Sequence, residues 1–141
     1  MGNGEILPSA SASVQIAVMK QRILVVDDEP PILDLLSAYF SKHGYEVSTA
    51  TNAGNAMQLL DGKPLELVIL DVLLADTDGL EVLGQIKAAH PKLPVIIMTG
   101  IGFDEELLQE AVKKGAAGYV SKTLPLDQLL MEVHRTLNYK Q

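Results

Sequence analysis

The chain has 141 residues, 48% of them hydrophobic and 21% charged, the size and balance of one globular domain able to bury its own core. It contains no cysteine, which excludes a disulfide framework or a thiolate metal site and fits a reducing compartment. A formal net charge of −7 with no cluster of Lys and Arg argues against a nucleic-acid or anionic-membrane surface, and apolar runs such as 67–70 and 95–98 are far too short to span a bilayer.

Residues 1–20 lack the basic start and long apolar centre of a secretory signal; Glu5 is the only charge before Lys20, and residues 9–13 are rich in Ser and Ala. They read as a disordered leader or an appended tail, with Met19 a second candidate start. From Arg22 onward, strand-like apolar runs alternate with amphipathic stretches in five rounds. Residues 23–26 form a continuous run suited to a strand buried on both faces, ending at Asp27. Pro30 and Pro31 suit a helix start, Ile32, Leu35, Leu36, Tyr39 and Phe40 recur at helical spacing, and Gly44 is a natural stop. A second strand is expected at 46–50. Asn52 can cap a helix carrying Ala56, Leu59 and Leu60, closed by Gly62 and Pro64.

The third strand, 65–70, delivers Asp71, and a loop over 73–79 leads into a helix through Leu80, Leu83 and Ile86. A fourth strand at 94–98 delivers Thr99, and a helix over 104–114 stops at Gly115. A fifth strand at 117–121 delivers Lys122. The last helix is expected over 126–137, with Asp127 near its N-terminus and Arg135 near its C-terminus, as the helix dipole favours.

This alternation predicts an α/β fold with a parallel sheet and helices on both faces, whose ligands bind beyond the carboxyl ends of the strands. Asp27, Asp28, Asp71, Thr99 and Lys122 all stand at such ends, so they define one candidate site. Each alone has a plain structural role: an acidic pair as a turn or cap, a threonine bonding its own backbone, a lysine in solvent. Together, three carboxylates repel unless some are protonated or a cation sits among them. Mg²⁺ suits such a site, because it binds through few protein groups and leaves positions for phosphate oxygens. A carboxylate beside that metal can attack a phosphoryl group. Asp71, alone at the end of the most hydrophobic strand, is the candidate nucleophile, with Lys122 and the Thr99 hydroxyl available to phosphoryl oxygens.

The runs Val25-Val26-Asp27-Asp28-Glu29, Leu70-Asp71 through Asp78-Gly79, Met98-Thr99-Gly100 and Gly118-Tyr119-Val120-Ser121-Lys122 resemble response-regulator receiver domains of two-component, phosphorelay signalling. The resemblance covers about residues 22–137 and implies a flavodoxin-like, doubly wound five-stranded sheet of order 2-1-3-4-5, with the domain at 21–138 and a tail at 139–141. It implies that Asp71 accepts phosphoryl from a histidine kinase or phosphotransfer protein. Asp28, Asp71 and the backbone carbonyl of Leu73 would ligate Mg²⁺, with Asp27 holding it through water. Thr99 and Lys122 would contact the phosphoryl group, and Tyr119 would change rotamer as Thr99 moves. That motion would reshape the face of helix four, strand five and helix five and so regulate a downstream effector or a missing output domain. The resemblance further implies a cytoplasmic switch that promotes only its own phosphorylation and dephosphorylation, and it admits a phosphorylation-linked dimer.

Two departures matter. The family commonly has Pro four residues after the acceptor, where this chain has Ala75. The residue after the switch lysine is usually Pro in a cis bond, where this chain has Thr123; because a non-proline cis bond costs about 2.5 to 4 kcal/mol, Lys122-Thr123 is expected to be trans. Three rivals share the sheet, the chemistry or the motif. A flavodoxin-type carrier would need a phosphate cradle where Asp27-Asp28-Glu29-Pro30 would repel one, and an aspartate-nucleophile phosphatase would place a second carboxylate where this chain has Leu73. A degenerate receiver used only for interaction would not need all five polar positions. Only residues 138–141 follow the last expected helix, so no effector is expected within the chain, which reads as a stand-alone or excised receiver.

Overall fold

In the computed structural model, residues 20–74, 77–102 and 104–139 are described. Of the expected leader only Lys20 falls within them, and Ala75 and residues 140–141 fall outside. Strands β1 (Arg22–Val26), β2 (Glu46–Ala50), β3 (Leu67–Asp71), β4 (Val95–Thr99) and β5 (Gly118–Ser121) alternate with helices α1 (Pro30–Lys42), α2 (Ala53–Gly62), α3 (Gly79–Ala89), α4 (Glu105–Lys113) and α5 (Leu126–Tyr139). The strands form one parallel sheet of order β2-β1-β3-β4-β5. Strand ends differ from the expected ones by a residue or two; Asp71 and Thr99 are the last paired residues of their strands rather than the first beyond them. No helix among the described residues is long and apolar enough to cross a membrane.

The central strands are continuous apolar runs because both faces are covered. Val26, Leu70 and Ile97 face a core completed by α2, α3 and α4, through Leu60, Leu83, Ile86 and Ala111. Val25, Ile69, Ile96 and Met98 face a second core, completed by Leu33, Leu36 and Phe40 of α1 and Leu129, Val133 and Leu137 of α5. Local chemistry sets the helix ends. Asn52 Oδ1 accepts from the Asn55 N–H at 2.8 Å, Asp78 and Asp104 cap α3 and α4 in the same way, and Gly44 and Gly115 take positive φ just past α1 and α4.

Two expectations need correction. Leu35 is 50% exposed, and Leu33 fills the core in its place, because positions 33, 36 and 40 align on a helix while 35 lies off that line. Arg135 does not serve the last turn of α5: the helix continues to Tyr139, its last turn has no basic residue, and Arg135 pairs instead with Glu132 at 2.7 Å. The neighbouring leucines of α1 give a test. Leu36→Ala, which empties a buried site, should cost about 2–5 kcal/mol in denaturant unfolding, and Leu35→Ala should stay within about 0.5 kcal/mol. Equal losses would mean that α1 docks in a different rotation.

Candidate functional site

Strand order reverses direction at β1, whose neighbours are β2 and β3, so the crossovers diverge there and leave a crevice at the carboxyl edge. In register, Val26 pairs with Leu70 and Asp71 with Met98, which sets Asp27 beside Asp71. Parallel pairing carries the same alignment to β5, where Met98 faces Val120 and Lys122 follows two residues on. The sheet thus gathers Asp27, Asp71 and Lys122 from strands distant in sequence.

Each of Asp27, Asp28 and Asp71 offers one carboxylate oxygen, and these oxygens lie within 4.8 Å of one another. Asp27 and Asp71 are buried. Asp27 Oδ1 accepts from the Glu29 N–H at 2.8 Å, and Asp71 Oδ1 accepts from the Leu73 N–H at 3.2 Å. The Lys122 ammonium donates to Asp71 Oδ2 at 3.1 Å and to Glu29 Oε1 at 2.9 Å. It also stands 2.9 Å from Asp27 Oδ2, a charge contact outside hydrogen-bonding geometry that leaves this buried oxygen without a hydrogen bond. Desolvation pushes the Asp27 carboxyl above its ordinary pKa, aided by the Asp71 charge and opposed by Lys122 and the Glu29 N–H. Desolvation also works against the charge on Lys122, but its carboxylate partners outweigh it and push the ammonium above the ordinary lysine value.

A buried carboxylate oxygen with no hydrogen-bond partner, in a group of three, is a donor set that fits a hard cation, so the cluster could bind a metal ion. Beside it opens a cleft of about 260 Å³, lined by Asp28, Asp71, Leu73, Gly100, Ile101 and Lys122 among others. The loop carrying Leu73 is closed by a bridge to Asp78, and the Gly79 N–H donates to the Val72 carbonyl at 2.8 Å. A Cβ at Gly79 would overlap the Asp71 carbonyl oxygen and the Val72 Cα, so only glycine lets α3 begin this close to the end of β3.

Thr99 and Tyr119 stand apart from this cluster. Thr99 is buried, does not line the cleft, and its hydroxyl accepts from the Ile101 N–H at 3.1 Å. Tyr119 pairs with Ile97 and Ser121 with Thr99, so Tyr119 and Thr99 share the sheet face covered by α2, α3 and α4, opposite the face of Met98 and Val120. The Tyr119 hydroxyl is buried near the Asp104 backbone N–H; desolvation and the Asp104 charge push its pKa up, opposed by that N–H. Among the described residues no peptide bond is cis, so Lys122-Thr123 is trans, and the Thr123 and Ser121 hydroxyls share a hydrogen bond at 2.7 Å. Glu29 joins the site although the sequence assigns it no role of its own within the run that follows β1. Its position directly after Asp27-Asp28 was a signal, but nothing local says that its side chain reaches Lys122.

A doubly wound sheet with an acidic cluster and a lysine at its switch point defines a class of phosphate-handling signalling domains, and the comparisons with known proteins agree. Residues 23–134 match the family model described as response regulator receiver domain. The chain is 36% identical over 121 residues to the nitrogen assimilation regulatory protein NtrX of Azorhizobium caulinodans, covering 84% of this chain and 26% of that one. It is 32% identical to sporulation initiation phosphotransferase F of Bacillus subtilis, covering 87% and 98%. The crystal structure of the receiver domain of NtrX from Brucella abortus superposes with a TM-score of 0.78 at 37% identity, covering 82% and 98%. The chain therefore belongs to the response-regulator receiver domain family, whose members are phosphorylation-dependent signalling switches. It spans about a quarter of the length of the NtrX-type relatives.

The raised pKa of Asp27 has a consequence for stability. The folded chain holds a proton there that the unfolded chain releases at the ordinary carboxylate pKa, so folding stability falls as pH rises from that value through the raised one. Asp27→Asn, measured by thermal unfolding in chelator at neutral pH, should raise Tm and flatten this fall. A lower Tm would mean that the Lys122 contact outweighs the desolvation of Asp27.

Proposed function

We propose that this chain is a phosphorylation-dependent switch that accepts a phosphoryl group on Asp71 from a histidine kinase or a phosphotransfer protein. The observation that carries this reading is the arrangement at Asp71: a buried strand-end carboxylate with one oxygen fixed by a backbone N–H, the other on a lysine, and two further carboxylates within 4.8 Å. The sporulation phosphotransferase and the NtrX regulators, by name, are proteins of phosphotransfer and regulation, which supports the same partners here.

An Asp71 oxygen attacks phosphorus, an O–P bond forms as the donor's N–P bond breaks, and that bond's electron pair returns to the donor imidazole. Mg²⁺, held by Asp28, Asp71 and the Leu73 carbonyl with Asp27 through water, would neutralise charge on the transferring oxygens. Lys122 gives up its bond to Asp71 Oδ2 and follows the incoming phosphoryl group. The Leu73 N–H holds the other Asp71 oxygen in place during attack. Thr99 exchanges its bond from Ile101 for a phosphoryl oxygen, and Tyr119, on the same sheet face, turns into the space released, altering α4, β5 and α5. That face then engages an effector or output domain or a second phosphorylated copy. This reading carries a cytoplasmic location and no turnover of an external substrate beyond the chain's own phosphorylation and dephosphorylation.

Asp71→Asn should abolish Mg²⁺-dependent labelling by a small phosphodonor, and the wild-type adduct should be labile to hydroxylamine. Labelling of the mutant at the wild-type rate would overturn the acceptor assignment.

Signal lifetime follows from the cleft mouth. Leu73 is 59% exposed and Ile101 43%, and both line the cleft where an attacking water must approach. Neither can orient a water by hydrogen bonding, and both shield phosphorus, so self-dephosphorylation is slow. Leu73→Asn combined with Ile101→Glu should speed phosphate loss severalfold, and an unchanged or slower rate would refute this mechanism.

A further inference from the structure

Among the described residues, Glu29 is the one carboxylate at the cleft that neither the acceptor role nor the metal set employs. Its backbone is committed to the turn: its N–H donates to Asp27 Oδ1, and its carbonyl accepts from the Ile32 and Leu33 N–H groups at 3.0 and 3.2 Å. It occupies the N-cap of α1, where a side-chain acceptor ordinarily binds the first free N–H groups, yet its side chain makes no capping bond. The side chain reaches instead to a residue 93 positions away, placing Oε1 2.9 Å from Lys122 Nζ. An ammonium has three protons to give, and Lys122 already stands at Asp27 and Asp71. Glu29 thus holds one of the two hydrogen bonds that Lys122 makes, for which an incoming phosphoryl oxygen must compete, and among the described residues it adds a fourth negative side chain at the solvent side of the cleft, where its side chain is 59% exposed.

We propose that Glu29 is a positioning residue that tethers the Lys122 ammonium at the cleft mouth and, with its own charge, acts as a brake on phosphorylation of Asp71 by anionic donors. The proposal rests on the phospho-acceptor reading of Asp71. When the phosphoryl group arrives, Lys122 leaves Glu29, whose freed carboxylate then faces the new dianion across the cleft. The brake thus opposes both entry of the donor and retention of the product charge. Because the carboxylate is partly exposed, its effect is modest and screened by salt.

The test compares wild type, Glu29→Gln and Asp71→Asn with acetyl phosphate and Mg²⁺ over a series of salt concentrations, alongside thermal unfolding. Glu29→Gln should phosphorylate about two- to five-fold faster at low salt, with the gap closing as salt rises, and with Tm little changed because no cap is lost. Glu29→Ser, which supplies α1 with a capping hydroxyl and removes the same charge, should show the same acceleration even if the glutamine variant folds poorly. Rates and salt dependence equal to wild type in both variants, or slower phosphorylation, would overturn the brake while labelling that is lost in Asp71→Asn leaves the acceptor reading intact. Labelling that persists in Asp71→Asn would overturn both.

Discussion

One ammonium group balances the carboxyl edge of this sheet. Lys122 Nζ stands within about 3 Å of Asp27, Glu29 and Asp71, and two of those carboxylates are buried. Burial makes every charge there costly, which is why Asp27 resists ionisation, whereas Lys122 keeps its proton despite burial because three carboxylates surround it. The arrangement is tolerable because it sits on five strands whose interior is almost wholly aliphatic, so the cores offset what the edge costs. Function draws on the same imbalance. A site with surplus negative charge could bind a cation beside the ammonium that three carboxylates already share.

The pleat of the sheet sets the charged cluster on one face and Thr99 and Tyr119 on the other. Asp71, Met98, Val120 and Lys122 belong to the face covered by α1 and α5, whereas Thr99 and Tyr119 belong to the face covered by α2, α3 and α4. The two faces meet at the end of β4, where Thr99 closes a turn onto Ile101 just before α4 begins. Tyr119 lies against that face with its buried hydroxyl near the N-cap Asp104. Side chains in so close-packed an interior move between discrete arrangements rather than continuously.

Much of this was legible in the amino-acid sequence because the signals are local. Runs such as 67–70 and 95–98 require strands covered on both sides, Asn52 and Gly44 mark helix ends, and Asp71, Thr99 and Lys122 stand where apolar runs stop. Those features alone determined an α/β alternation and a set of polar residues destined for one edge. The sequence could not orient Leu35, because an apolar residue beside a helical stripe looks the same whether it faces core or solvent, and it could not bound α5, whose amphipathic pattern continues beyond Arg135. Only the tertiary structure decided how the polar residues share their charges: that Lys122 reaches Glu29 as well as the two buried aspartates, that Asp27 keeps an oxygen without a hydrogen bond, and that Thr99 turns to its own loop. Those distances depend on strand register and crossover placement across as many as 93 residues of chain, and at that separation no local pattern of residues specifies which side chains meet.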